Sequence, residues 1–570
     1  MPNQIRNISS VNNDGYPYIF EQNVDVHIKT FTKGLVRVNV YRPKVDKPVP
    51  VLVTYGPYGK DIPYTDFNKG SYAEVNPKHK SEHAAWETPH PAFWTEHGYA
   101  VIRADECGLG QSSGSSGKVG LTGISYYAAT QWHVAALQPK GLAAIIPWEG
   151  MSDIYRDASR HGGIASNQFA EVWFHRQVLS NQYGRPGRKA ANWGPDTIEG
   201  NLSEEELAAK RVILSEEVAN NRFRDGAFFT DQQTDLANIK VPLLSVANWG
   251  GISLHLRGNI EGFVRAGSEL KYLRSIVGRH DLPYYQDDEV ELQRSFFDAF
   301  LKGEDRLGWS EKGKLPPVDI VLRKGNPGFN NPPAELATFP RRTENEWPLA
   351  RTQYTKFYLT SDQTLERKAP IASDKVISYK APSSIKTPEL VQFSTSPFEE
   401  ETEITGHIVA HLNISASASE ANMKPPSDID VFATLRHFDA DGKEIFYTGT
   451  IGDPIPVVKG WLRVSLRKVE ENHSLHREYL PYREYRSIDV QEVKAGEIYP
   501  IDVELWPTNV VVEKGSRLVL ELSSGDTQGT GIFGHCHPKD RSDDVFGGVN
   551  NVHFNSGNEN YITLPIIPPK

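Results

Sequence analysis

One serine sits where a chain turns sharply from strand to helix. Residues Lys118 to Thr122 (KVGLT) read as a short apolar strand, Gly123-Ile124-Ser125-Tyr126-Tyr127-Ala128 follows, and AATQWHVAAL has helical character. A strand, a tight turn with serine at its apex and then a helix make a nucleophile elbow, usually written G-x-S-x-G. Small residues two before and two after the serine let strand and helix approach closely. Here Tyr127 takes the second small position and Ala128 comes one place later. A serine hydroxyl is a weak nucleophile until a base takes its proton, and the tetrahedral oxyanion that follows needs preorganised donors. The elbow alone also fits an ordinary strand–helix turn, so the rest of the chain must supply a base, an acid to orient it, and the donors.

Other chemistries find little support. Gly56-Pro57-Tyr58-Gly59-Lys60 is too short for a phosphate-binding loop, no G-x-G-x-x-G opens a helix, and no H-E-x-x-H is present. Two cysteines, Cys107 and Cys536, exclude a disulfide framework and a four-thiolate zinc site. The run His535-Cys536-His537 reads as structural, and Asp428 and Asp430 as solvated or loop-pinning groups. No metal or organic cofactor is implied. A net charge of −10 repels phosphate backbones, so nucleic acid is not an expected partner. The first residues lack a basic segment followed by an apolar one, no run approaches ~18 apolar residues, and the C-terminal PIIPPK carries no lipidation signal. The expectation is a cytoplasmic protein without a membrane partner.

The elements that must position the serine are legible. With 570 residues, 38% hydrophobic and 24% charged, the chain is long enough for two or three globular domains. Apolar runs at Pro50 to Tyr55, Tyr99 to Ala104, Leu142 to Pro147, Pro242 to Ala247 and Tyr272 to Val277 flank the KVGLT strand. Near-continuous apolar strands alternating with helical stretches predict a parallel sheet covered on both faces, an α/β architecture. Residues 152–238 break that pattern. SEEELAAKRVILSEEVANNRF has strong helix formers, with Asn201-Leu202-Ser203 as its cap, and predicts a helical insertion over the sheet. After about Pro316, alternating strands replace helices, as in TKFYLT, HIVAHLNI and RLVLEL. Asp439-Ala440-Asp441-Gly442 between two such strands is a hairpin signal, and a β-sandwich is expected. The predicted division is an α/β core of 1–151 and 239–315, a helical cap of 152–238, and a sandwich of 316–570.

These motifs together resemble the cocaine-esterase and X-Pro dipeptidyl-peptidase superfamily, the CocE/NonD hydrolases. Gly123-Ile124-Ser125-Tyr126 matches its G-x-S-Y signature, and Gly56-Pro57-Tyr58-Gly59-Lys60 its Pro-Tyr loop. Asp105-Glu106-Cys107-Gly108-Leu109-Gly110-Gln111-Ser112 partly matches its D-x-R-G-x-G-x-S loop. Gly460-Trp461-Leu462-Arg463 and the stretch from His535 to Ile567 match its C-terminal domain in style. The resemblance covers most of the chain in the right order. It implies a hydrolase core, a helical cap and a jelly-roll, galactose-binding-like sandwich. It assigns Ser125 as nucleophile, His280 (closing Ser275-Ile276-Val277-Gly278-Arg279-His280) as base, and the Tyr58 hydroxyl with the Tyr126 N–H as oxyanion donors.

Two departures matter. The acid of this family sits in a G-W-x-D turn, and the matching Asn248-Trp249-Gly250-Gly251 puts glycine there. A substitute stands one strand earlier, where LAAIIP ends at Trp148-Glu149-Gly150. Glu149 keeps the order nucleophile, acid, base, and a carboxylate at a strand's C-terminal end faces the same crevice as the elbow. Glu149 is therefore the expected acid, with Asp153 and then Asp281 behind it. Second, residues 105–117 connect two strands through DECGLGQSSGSSG, which has no helical pattern where a crossover helix is expected. The connection reads as lacking a segment.

The expected activity is a serine hydrolase that cleaves an ester, thioester or amide of a small molecule through an acyl-enzyme. An X-Pro-type dipeptidyl-peptidase, an acyltransferase and a catalytically inactive binding or scaffold protein are the rivals. A homo-oligomer is compatible with the family, but nothing in the sequence fixes it.

Overall fold

The computed structural model describes residues 8–27, 35–105, 118–193 and 202–569, apart from 372, 422 and 556. An eleven-stranded sheet forms the first half. Its parallel centre runs Ala100–Asp105, Val51–Gly56, Val119–Ile124, Leu142–Trp148, Leu243–Asn248, Lys271–Ile276 and Val318–Val321, in that spatial order. Each expected core strand is present to within a residue or two. Near-complete burial explains their apolar sequences: all of Ala100–Asp105 and Leu243–Asn248 is buried. Three antiparallel strands, Ser10–Asn12, Ile19–His27 and Leu35–Arg42, extend one edge.

The other edge moves a predicted boundary. Val318–Val321 and Arg341–Glu344 pair into the same sheet, so the sheet of the core continues past residue 315. Ala100–Asp105 and Val119–Ile124 are not neighbours, because Val51–Gly56 lies between them. The connection 106–117 lies outside the described residues, as do Cys107 and Asn201.

Across 152–238 the elements are short. The stretch read as helix-forming holds two short helices, Glu204–Ala208 and Leu214–Asn220, parted at Ala209 to Ile213. Ser203 opens the first with a reciprocal capping box, accepting from the Glu206 N–H while the Glu206 carboxylate accepts from its own. The second half forms a β-rich domain around long antiparallel strands such as Thr402–Ser417 and Tyr499–Val512. The hairpin at Asp439 to Gly442 is present, with Gly442 at φ 79°. Asp430 is not solvated: it is buried against Arg463, with its carboxylate accepting 2.9 Å bonds from Nε and Nη2.

Buried ion pairs rivet the three parts together. Arg257 of the core reaches Asp157 of the insertion at 3.1 Å and Glu504 of the β domain at 2.6 Å, and Arg160 meets Asp540 at 2.8 Å. Losing one partner would strand a charge in the interior, so these pairs fix the insertion against both neighbours.

Candidate active site

The C-terminal ends of five parallel strands converge on one edge of the sheet, delivering Tyr58, Ser125, Glu149, His255 and His280 to a single crevice. Ser125 follows Val119–Ile124 with φ 59° and ψ −114°, a strained conformation for a residue with a side chain, and leads into the helix Tyr126–Ala136. Its N–H donates to the Trp148 carbonyl at 3.0 Å, and its carbonyl accepts from Ala129 at 2.8 Å. The large Tyr127 is accommodated because glycine surrounds it. A Cβ on Gly56 would lie 2.7 Å from its ring, and one on Gly123, at φ 131°, 2.6 Å from its Cβ. The space that the usual pattern saves after the serine is saved here by two glycines beside it.

Ser125 Oγ lies 3.1 Å from His255 Nε2. This is the neighbour that the sequence reading gave to His280. The strand Leu243–Asn248 ends, Gly251 donates back to the Asn248 carbonyl, and the chain turns into the helix Leu256–Arg265 with His255 at its start. That short return brings His255 beside the elbow. His280 stands behind it, with the two rings stacked at 4.6 Å and 7° from parallel. Glu149, completely buried and at φ 46°, accepts from His280 Nδ1 at 3.0 Å, while its nearest approach to His255 Nδ1 is 4.0 Å. His280 Nε2 meets Glu87 Oε1 at 3.0 Å. The contact with the serine and the contact with the acid are thus divided between two histidines.

Charge follows this division. Burial opposes a proton on His280, but the Glu149 and Glu87 carboxylates outweigh it and hold the group up at about 10. Burial, and then the His280 charge, push His255 well below the usual histidine range. Near neutral pH the imidazole facing Ser125 is neutral and the one behind it is a cation. Burial raises Glu87, with His280 pulling it back.

The proposed acid fits the space left by Gly251. A Cβ at position 251 would lie 3.5 Å from Glu149 Oε2, so the Glu149 carboxylate fills the room into which an acid at 251 would reach. Asn248 Nδ2 donates to Glu149 Oε1 at 3.0 Å and to the Gly278 carbonyl at 2.9 Å, tying the three strand ends together. The β domain buttresses the same loops, since the His280 N–H donates to the Thr450 carbonyl at 3.0 Å. The alternative acids are committed elsewhere: Asp153 to Arg156, and Asp281 to Tyr64 and Ser71.

Tyr58 is buried, with its hydroxyl bonded to Ser125. Burial and then the Glu87 charge raise its pKa well above the usual phenol range, so it remains a donor. Its loop is pinned by Lys60, whose N–H donates to Asp105 at 2.6 Å and whose ammonium reaches Asn23 and Asp61 at 2.6 Å each. Tyr126 opens the elbow helix, where backbone N–H groups point outward.

Glu149, His255 and His280 also form a set of possible metal donors, all within 4.8 Å of one another. An imidazole lone pair lies in the ring plane, and two stacked parallel rings direct theirs along separate planes. The present orientations therefore do not converge on one ion. His255 and Glu87 are the residues that sequence reasoning missed. Glu87, in AWETPHP, carries no motif signal at all.

Comparison with known proteins agrees with this architecture. The model of the X-Pro dipeptidyl-peptidase (S15 family) matches residues 34–116 and 114–274, two stretches that meet at the short connection. That of the X-Pro dipeptidyl-peptidase C-terminal non-catalytic domain matches 310–563. The chain is 23% identical to a cocaine esterase from Rhodococcus sp. over 93% of its own length and 96% of that protein's. A crystal structure of a CocE/NonD family hydrolase from Staphylococcus aureus superposes with a TM-score of 0.75 at 25% identity, covering 96% of this chain and 94% of that one. An α-amino acid ester hydrolase shares the fold, with a TM-score of 0.64, 16% identity and 99% of each chain covered. With its α/β-hydrolase core, its β-rich C-terminal domain and a serine on the elbow, the chain belongs to the CocE/NonD family of serine hydrolases, the group of cocaine esterase and the S15 X-Pro dipeptidyl-peptidases.

Proposed function

We propose that this hydrolase is an esterase acting through an acyl-enzyme on Ser125. The observation that carries the reading is the strained serine with an imidazole nitrogen of His255 3.1 Å from its hydroxyl. In this reading His255 takes the Ser125 proton as Oγ attacks the ester carbonyl, and returns it to the departing alcohol. The Tyr58 hydroxyl and the Tyr126 N–H stabilise the oxyanion. Glu149, 4.0 Å from His255 Nδ1, and Glu87 together offset the charge on the two rings while His255 holds the proton. Water, activated by the same imidazole, then releases the acid. An ester is preferred over an X-Pro dipeptide because a free amine needs an anionic grip beside the nucleophile. Glu149 and Glu87, the carboxylates around the two histidines, are already bonded to His280.

A second assignment of the base is favoured by one distance. His280, not His255, makes the 3.0 Å bond to Glu149 that orients an imidazole in a serine hydrolase. For His280 to serve as base, its Nε2 must first leave Glu87 and lose its proton, and Ser125 must turn away from His255. Both assignments rest on the same nucleophile. A fluorophosphonate probe, with the modified peptide located by mass spectrometry, tests it directly. Labelling at Ser125 supports the esterase, and a folded chain that resists labelling returns the inactive binding protein to the front.

A further inference from the structure

Among the described residues, a cavity of about 990 Å³ starts at Ser125. It follows one face of the elbow helix, where Ala129, Thr130, His133, Val134 and Leu137 succeed one another at helical spacing. Eleven helical residues cover roughly 16 Å at 1.5 Å each. The opposite wall comes from the insertion, with Ile154, Phe169, Trp173, Phe174, Val218 and Phe228. Near the serine the surface is closed and apolar, with Tyr58, Met151, Phe174 and Leu254 all buried. At the far end Leu137 and Val212 stand exposed, at 82% and 62%. Among the described lining residues there is no lysine or arginine, and the carboxylates are Asp231 and Asp235, both on the exposed rim.

We infer that the cavity is the site of a long neutral apolar chain, and that the preferred substrate is an uncharged ester carrying such a chain on one side of the scissile bond. The inference rests on the esterase reading. A channel of this length takes an extended chain of roughly a dozen carbons. Its walls are mainly apolar, with uncharged groups such as Thr130, Ser159 and Gln232 among them, and its described lining holds no lysine or arginine to pair with an anionic group. The acidic rim repels a carboxylate, so a free anionic headgroup at the mouth is disfavoured as well. Each methylene drawn into the channel leaves water. At a full transfer gain the specificity rises about fourfold per carbon until the mouth is reached.

The experiment uses the full chain and two ester series. One is p-nitrophenyl alkanoates from acetate to hexadecanoate, which lengthens the acyl side. The other is alkyl acetates of matching length, which lengthens the alcohol side. The expected result is a climb in kcat/KM of at least tenfold from four to ten carbons in one series, flattening near twelve, and the responding series tells which side enters the channel. Val134→Trp, which obstructs the helix face midway, lowers the ratio of dodecyl to butyl specificity tenfold or more. Leu137→Asp at the exposed mouth lowers the same ratio without touching the interior. Fluorophosphonate labelling of Ser125 is measured on the same preparations. A labelled enzyme that prefers acetyl esters in both series overturns the chain inference and leaves the esterase reading standing. An enzyme that is not labelled at Ser125 overturns both.

Discussion

The imidazoles of His255 and His280 lie face to face, 4.6 Å between centroids and 7° from parallel, with Ser125 on one side of the pair and two carboxylates on the other. Two imidazolium ions in this position repel, so in the resting site one ring carries the proton and the other stays neutral. The two buried glutamates decide which. They bond to His280, and the ring left neutral is the one that faces the nucleophile.

This division makes the two histidines separable by mutation. His255→Ala is expected to lower kcat/KM by about 10²–10⁴, the usual worth of a general base, and to slow fluorophosphonate labelling in step. His280→Ala leaves the contact to Ser125 in place and misplaces Glu149, a loss of up to about 10². Steady-state kinetics and labelling rates on both variants check the ranking. The reverse ranking assigns the base to His280.

In the proposed mechanism Tyr58→Phe removes one oxyanion donor and keeps the ring, which packs edge-on against Tyr127 at 5.2 Å. The oxyanion exists only after attack. The loss is therefore expected in kcat, by about 10²–10³, with KM little changed. A variant with wild-type kcat would leave Tyr58 as a packing residue. Far-UV circular dichroism controls for folding.

The clamp around His280 gives a stability prediction with a definite sign. Its proton is held up at about 10, against 6.5 for an ordinary histidine. The contribution is complete below pH 6.5 and is lost as pH rises through about 10. The groups that face it are Glu149, Glu87, His255 and the adjacent Asp281. Thermal unfolding at fixed scan rate is therefore expected to show the wild type losing Tm across this window, by a few degrees more than His280→Gln. Equal slopes in the two proteins would mean that His280 is not held as a cation.

Much of this arrangement is legible in the sequence, and what is not has a physical reason. The core strands are apolar throughout because both faces of the sheet are covered, so six short runs located them. The strand–helix junction located Ser125, and chain order alone suggested Glu149, whose carboxylate does reach His280. His255 could not be found that way. Its position depends on a seven-residue return that closes only when the Leu243–Asn248 strand is seated beside Leu142–Trp148, and its nearest sequence mark is the glycine that removed the expected acid. Glu87 is less accessible still, since its reach to His280 depends on packing between residues 193 apart. The extension of the sheet by Val318–Val321 and Arg341–Glu344 escaped because each strand has four residues, too few to carry a pattern, and the second is an edge strand that pairs on one side alone.

The proposed replacement of the missing acid by Glu149 can be tested by reversing it in one protein. Glu149→Gln keeps the side-chain shape and one acceptor for Asn248, yet removes the charge that a protonated imidazole needs, and kcat is expected to fall by about 10²–10⁴. Gly251→Asp alone puts a second carboxylate against the first, because a Cβ there lies 3.5 Å from Glu149 Oε2. Like charges so close cannot both ionise without cost, so this variant is expected to lose activity too. In the double variant the new carboxylate meets a neutral amide and takes over the vacated role. Position 251 has room for it, its tightest contact being 3.2 Å to the Asn248 carbonyl, which a small shift of the turn relieves. The double variant is then expected to exceed Glu149→Gln in kcat by tenfold or more, a gain that independent, additive losses cannot produce. If Gly251→Asp instead lowers activity equally in both backgrounds, the two positions do not share one role, and the acid must be sought elsewhere around His280.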